Sequence, residues 1–159
     1  MPIIKPFTIP DENDYWARYD HVHAGGGGLG YALALMALVL STLVDAATYY
    51  FGGVGIAPGT AADTARVYVP KAGTIKAAFV FWRAVTAGTS EAISVYLRKN
   101  NVTDYLIATI GDGAAVKVFS SVGLSIPMAQ GDYFEIKIVC PTWVTNPATV
   151  RLGGNVYLE

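Results

Sequence analysis

Residues 74–83 read TIKAAFVFWR. In an extended chain alternate side chains point to opposite faces. Ile75, Ala77, Phe79 and Phe81 therefore share one face, and Lys76, Ala78, Val80 and Trp82 the other. Both sets are largely apolar, which predicts a strand covered on both sides. Pro70 and Lys71-Ala72-Gly73 form a turn ahead of it, and the same punctuation recurs along the chain. Residues 47–51 and 65–69 are rich in Tyr and Val. In 93–98, Ile93, Val95 and Leu97 alternate with Ser94, Tyr96 and Arg98. Lys99-Asn100-Asn101-Val102 predicts a hairpin turn, because Asn tolerates left-handed backbone geometry. Residues 105–110 return, and Gly111-Asp112-Gly113 turns again. Residues 116–119 and 122–126 follow, the second ended by Pro127. Gln130-Gly131-Asp132 leads into 133–140, where Phe134, Ile136, Ile138 and Cys140 face one way. The last run, 149–158, carries Gly153-Gly154, the mark of a bulge or a close backbone approach. About eight strands with no long helical repeat predict an all-β head over residues 46–159, an antiparallel β-sandwich of jelly-roll type.

Two zones precede that head. Residues 1–24 hold Pro2, Pro6 and Pro10, then Asp11, Glu12 and Asp14, then Tyr15, Trp16 and Tyr19. Prolines bias such a segment to extended geometry, so it reads as an arm that lies on a partner through its aromatic residues. Residues 25–45 read as a glycine hinge, Gly25 to Gly28, and an apolar neck. The uncharged run 29–44, LGYALALMALVLSTLV, reads equally as a short helix or as alternating extended chain. It reaches the roughly 20 residues of a membrane span only if the glycines are counted, so burial between subunits is the favoured reading. Leu33, Leu35, Leu38 and Leu40, with Val80 and Trp82 of the head, are the expected oligomer interface.

Composition supports that expectation. The chain has 159 residues, 53% hydrophobic and only 14% charged, where soluble domains average about 25% charged. Such a chain is short of charge for covering its own surface. A net charge of −1 excludes the electrostatic footprint of a nucleic-acid binder. The single Cys140 excludes a disulfide framework and reads as an inert buried residue. His21 and His23 are the only imidazoles, and no nucleophile motif, phosphate loop or HExxH is present. The chain does not read as an enzyme.

Two stretches carry a resemblance. Asp20-His21-Val22-His23, after Ala17-Arg18, resembles segments that recur in bacteriophage tail-fibre and related appendage proteins. Residues 69–76 (VPKAGTIK), Arg98-Lys99-Asn100 and residues 131–137 (GDYFEIK) look like the trimeric jelly-roll heads, similar in outline to TNF and C1q, found at the ends of phage fibres and on capsids. The resemblance implies a homotrimer on the virion surface. Since no long shaft repeat is present, a short appendage or capsid decoration knob fits the length. Residues 1–24 would attach it to a capsid or tail protein. An adhesin tip that binds a host receptor or glycan is the alternative, and a membrane-anchored surface domain a third reading.

Two candidate sites follow. His21 and His23, at i and i+2, share one face of an extended chain. By resemblance plus spacing, three copies would present six nitrogens, an octahedral set for a structural Fe or other first-row ion. The plainer alternative is that both contact a partner or solvent. Trp143, among Pro141, Thr142, Asn146 and Pro147, reads either as a sugar platform with Asn146 beside it or as a plug at the end of the sandwich. Asp112 between glycines reads as a turn rather than a calcium loop. Asn101-Val102-Thr103 has the form of a glycosylation sequon.

Overall fold

The computed structural model describes residues 30–36, 40–53, 58–111 and 116–159. The strands, in chain order, are β1 (Tyr31–Met36), β2 (Leu40–Thr42), β3 (Thr48–Phe51), β4 (Val67–Tyr68), β5 (Gly73–Arg83), β6 (Ile93–Lys99), β7 (Thr103–Ile110), β8 (Val116–Met128), β9 (Tyr133–Val139) and β10 (Ala148–Leu158). A 3-10 turn, Ala62–Ala65, precedes β4. One sheet has the order β1-β10-β5-β8, with β2 also on β10. The other has the order β3-β9-β6-β7, with β4 also on β9. Every pairing is antiparallel. With the two short strands set aside, this is the strand order of an eight-stranded jelly roll.

Period-2 burial explains why these residues form a sandwich. Val80 and Trp82 of β5 and Val150, Leu152 and Val156 of β10 point inward from the first sheet. Ile93, Val95 and Leu97 of β6 and Phe134, Ile136 and Ile138 of β9 meet them from the second, all nearly inaccessible. The expected hairpin at 99–102 is present, with Asn100 and Asn101 at φ 50° and 58°.

Four sequence expectations are corrected. The apolar run is not a neck apart from the head, because β1 pairs with β10 along its whole length, from Tyr31 opposite Leu158 to Met36 opposite Gly153. Its Leu-Ala alternation puts Leu35 into the chain's own core and leaves Ala32 and Ala34 outside. Ile75 does not share a face with Phe79 and Phe81. Register shifts flank Lys76 on both sides of β5, and this bulge turns Ile75 inward beside Ala78. Residues 116–128 form one strand, not two. Gly123, at φ 74°, absorbs the extra residues between Val122 and Ile126, and Pro127 is tolerated because β8 is an edge strand. Residues 65–69 shorten to the two-residue β4. The close approach expected at Gly153-Gly154 is real at Gly154, where a Cβ would lie 2.1 Å from the Phe79 carbonyl oxygen.

Candidate functional site

The two outer faces of the sandwich differ in kind. On the first sheet the outward residues of β5 are Ala77, Phe79 and Phe81, and their partners on β8 are Val122, Ser120 and Val118. On the other side stand Tyr157, Asn155 and Gly153 of β10, and beyond them Ala32 and Ala34 of β1. None of these residues is charged. Phe79 and Phe81 are each 37% exposed, Val118 68% and Val122 71%. Charge flanks this patch, with Arg83 and Arg151 directly opposite each other at one end and Lys76 at the β5 bulge toward the other.

The outer face of the second sheet carries charge. Glu135 of β9 pairs with Arg98 of β6, and Arg98 pairs with Asp104 of β7. Arg66 sits one residue before Val67, the partner of Phe134, so a row of alternating charge, Arg66-Glu135-Arg98-Asp104, runs from the residue before β4 across β9, β6 and β7. Arg98 Nε lies 3.6 Å from Asp104 and 3.9 Å from Glu135. Its Nη1 donates to the Tyr50 hydroxyl at 2.8 Å and its Nη2 to the Asn101 carbonyl at 2.9 Å. Lys137 Nζ reaches Asp104 at 2.5 Å. Glu135 is fully buried, and burial pushes its carboxyl up to about 7, against the pull of Arg98 and Arg66 and with a further push from Asp104. At the end of this face Asp132 accepts hydrogen bonds from Asn100 and the Ala129 amide, both at 2.8 Å, and pairs with Lys99 at 3.0 Å. These contacts, led by the Asn100 bond, hold Asp132 down to about 2.

The proposed site residues fall as follows. Leu35, Val80 and Trp82 are each 1% exposed within a single chain. They are not interface residues, because the chain's own second sheet covers them. Leu33 is half-buried and packs against the same core. Leu40 lies on β2, paired with Val150, and Leu38 lies outside the described residues. The outward apolar set is Phe79, Phe81, Val118 and Val122. Its alternation was legible in the sequence, but which face of β5 would be covered was not.

Trp143 is no sugar platform. It is 6% exposed, its indole Nε1 donates to the Glu91 carbonyl at 3.2 Å, and its amide donates to Asp45 at 3.2 Å. The recess beside it, bordered by Trp82, Gly88 and Pro147, is about 10 Å³. That is the lower limit for one water and far too small for a sugar ring. Asn146 donates to the Leu43 carbonyl at 2.9 Å, which ties two loops together. Both residues plug the end of the sandwich. Cys140 is buried, and burial pushes its thiol up to about 12, which leaves it unreactive.

His21, His23, Tyr15, Trp16, Tyr19, Asp112 and the whole of residues 1–24 lie outside the described residues. Among the described residues no group of His, Cys, Asp and Glu could hold a metal ion, and no helix is long and apolar enough to cross a membrane. No protein family, no curated protein and no solved structure matches this chain.

Proposed function

We propose that this chain is a structural virion protein: a jelly-roll knob that self-associates as a homotrimer and is attached to a capsid or tail through residues 1–24. One observation carries the reading. At the middle of the first sheet's outer face the exposed apolar residues Phe79, Phe81, Val118 and Val122 adjoin one another on β5 and β8, while the second sheet carries a row of ion pairs on its outer face. An apolar face of this kind on a charge-poor chain is stabilised by burial against another copy. A stable interface removes roughly 800 Å² from each partner, an area that the outward residues of β1, β10, β5 and β8 are disposed to supply. A threefold assembly closes when each copy presents this face to a different surface of its neighbour. The number three rests on the resemblance to phage jelly-roll heads. The virion setting rests on that resemblance and on the sequence of the arm.

Mass measurement in solution tests the self-association. The expected mass is three times 16.9 kDa, and Phe79→Glu together with Phe81→Glu is expected to reduce it to one chain. A wild-type preparation that stays at the single-chain mass at micromolar concentration overturns the reading. Deletion of residues 1–24 is expected to leave the trimer intact and to abolish its incorporation into particles.

A further inference from the structure

A closed ring of three needs a second surface on each copy, because the patch at Phe79, Phe81, Val118 and Val122 must meet something other than itself. Geometry limits where that surface lies. Each copy in such a ring faces its two neighbours in directions about 60° apart. The outer face of the second sheet looks the opposite way from the patch, and contact between those two faces would stack copies in an open row. The receiving surface therefore borders the patch.

Charge separates the patch from the two ends of the sheet. Arg83 and Arg151 stand between it and the loops that carry Val85 and Val144, and Lys76 stands toward the other end. Toward β1 the intervening residues are Asn155 and Tyr157 of β10, then Ala32 and Ala34. None of these is a large aliphatic side chain. Toward β8 nothing intervenes, because β8 itself carries Val118 and Val122, and residues 118–128 contain no charge.

That side also has a backbone reason to be covered. β8 ends the first sheet, β7 ends the second, and the two strands lie against each other. Among the described residues β8 is paired only with β5 and β7 only with β6, so each leaves a row of amide and carbonyl groups unpaired. Soluble proteins blunt such edges with charge, proline or a bulge. Here Gly123, at positive φ, and Pro127 interrupt only the later part of β8, and residues 118–122 have no such device. The sole charged residue of β7 is Asp104, already held by Lys137 and Arg98. Two positions along, Leu106 is 54% exposed at the sheet margin.

We propose that the β7–β8 side of the sandwich, with Leu106, receives the apolar patch of the neighbouring copy, so that three β8 strands surround the threefold axis. This pairing of surfaces rests on the threefold self-association proposed above.

Chemical cross-linking of the full chain tests it. Cys140 is buried, so introduced thiols are the reactive ones. Phe79→Cys and Leu106→Cys combined in one chain are expected to give covalent trimers with a short bismaleimide. Phe79→Cys alone should give only single chains on a denaturing gel, because unlike positions meet in the ring. Covalent dimers from Phe79→Cys alone would mean patch against patch and overturn the proposal. A three-chain mass in solution without covalent trimers from the double variant overturns this pairing alone, whereas a single-chain mass overturns the self-association itself. Two further variants need no cross-linker. Leu106→Lys is expected to lower the solution mass to one chain, and Val144→Lys, at the end of the sandwich, to leave three. A Leu106→Lys chain that keeps the three-chain mass overturns the proposal, as does a Val144→Lys chain that loses it.

Discussion

Position 143 shows what a single residue's context decides. A tryptophan among Pro, Thr and Asn reads as an exposed ring until the contacts of its indole are known. The indole donates to the Glu91 carbonyl, and the Trp143 backbone amide donates to Asp45, both partners lying far away in sequence. Trp143→Ala is expected to destabilise the fold by about 3–5 kcal/mol, as large core truncations do, and denaturant unfolding measures it. Glu135 gives the second expectation at this scale. Its folded pKa, about 7, lies above its unfolded value, 4.5. The folded chain therefore holds the proton more tightly, and its stability falls as pH rises from 4.5 through 7. Glu135→Gln should flatten that slope, which thermal unfolding across the window would reveal. Asp132 works in the opposite sense. Its folded pKa is lowered from 3.8 to about 2, so its stabilisation is present above the ordinary value and fades as pH falls toward 2. The buried Glu135 was not legible in the sequence, because alternation along 133–140 puts it on the outward face. Only the side chains of neighbouring strands bury it there.

Strands were more legible than their faces. Apolar alternation and turn residues located β5, β6, β7, β9 and β10 to within a few residues, since those signals are local. What failed was parity. The bulge at Lys76 depends on how β5 sits between β8 and β10, and nothing in TIKAAFVFWR announces it. The β1 segment failed for a related reason. YALALM alternates like a strand, but its partner, β10, lies at the other end of the sequence. Gly153-Gly154 was read correctly because a glycine pair in a strand has few other uses. Gly154→Ala tests that reading. Its new Cβ would meet the Phe79 carbonyl oxygen at 2.1 Å, so β10 must move away from β5. The expected loss is about 1–3 kcal/mol, the cost of overpacking, again read by denaturant unfolding. The equivalent change at Gly153, whose nearest neighbour is 3.6 Å away, should be much milder.

For the whole molecule, composition announced the outcome before any strand was placed. Too little charge for the surface meant that some surface had to be apolar, and four of the exposed large apolar residues, Phe79, Phe81, Val118 and Val122, adjoin one another on the first sheet. Leu35, Val80 and Trp82, which the sequence alone offers for that role, form the inner set of the same sheet. In a two-layer fold each strand has two apolar options, and only the second layer shows which one is taken. Arg83 and Arg151, backbone partners across β5 and β10 beside the exposed apolar residues, bear on the proposed association of copies. Like charges set side by side repel, and covering this face with a neighbouring copy removes water from around each such pair. Dissolved ions screen that repulsion within about 10 Å at 0.1 M and leave the apolar contact untouched. The proposed self-association should therefore tighten as sodium chloride is added, the reverse of an assembly held by ion pairs, and should lose most of that salt dependence once Arg83 and Arg151 are both changed to glutamine.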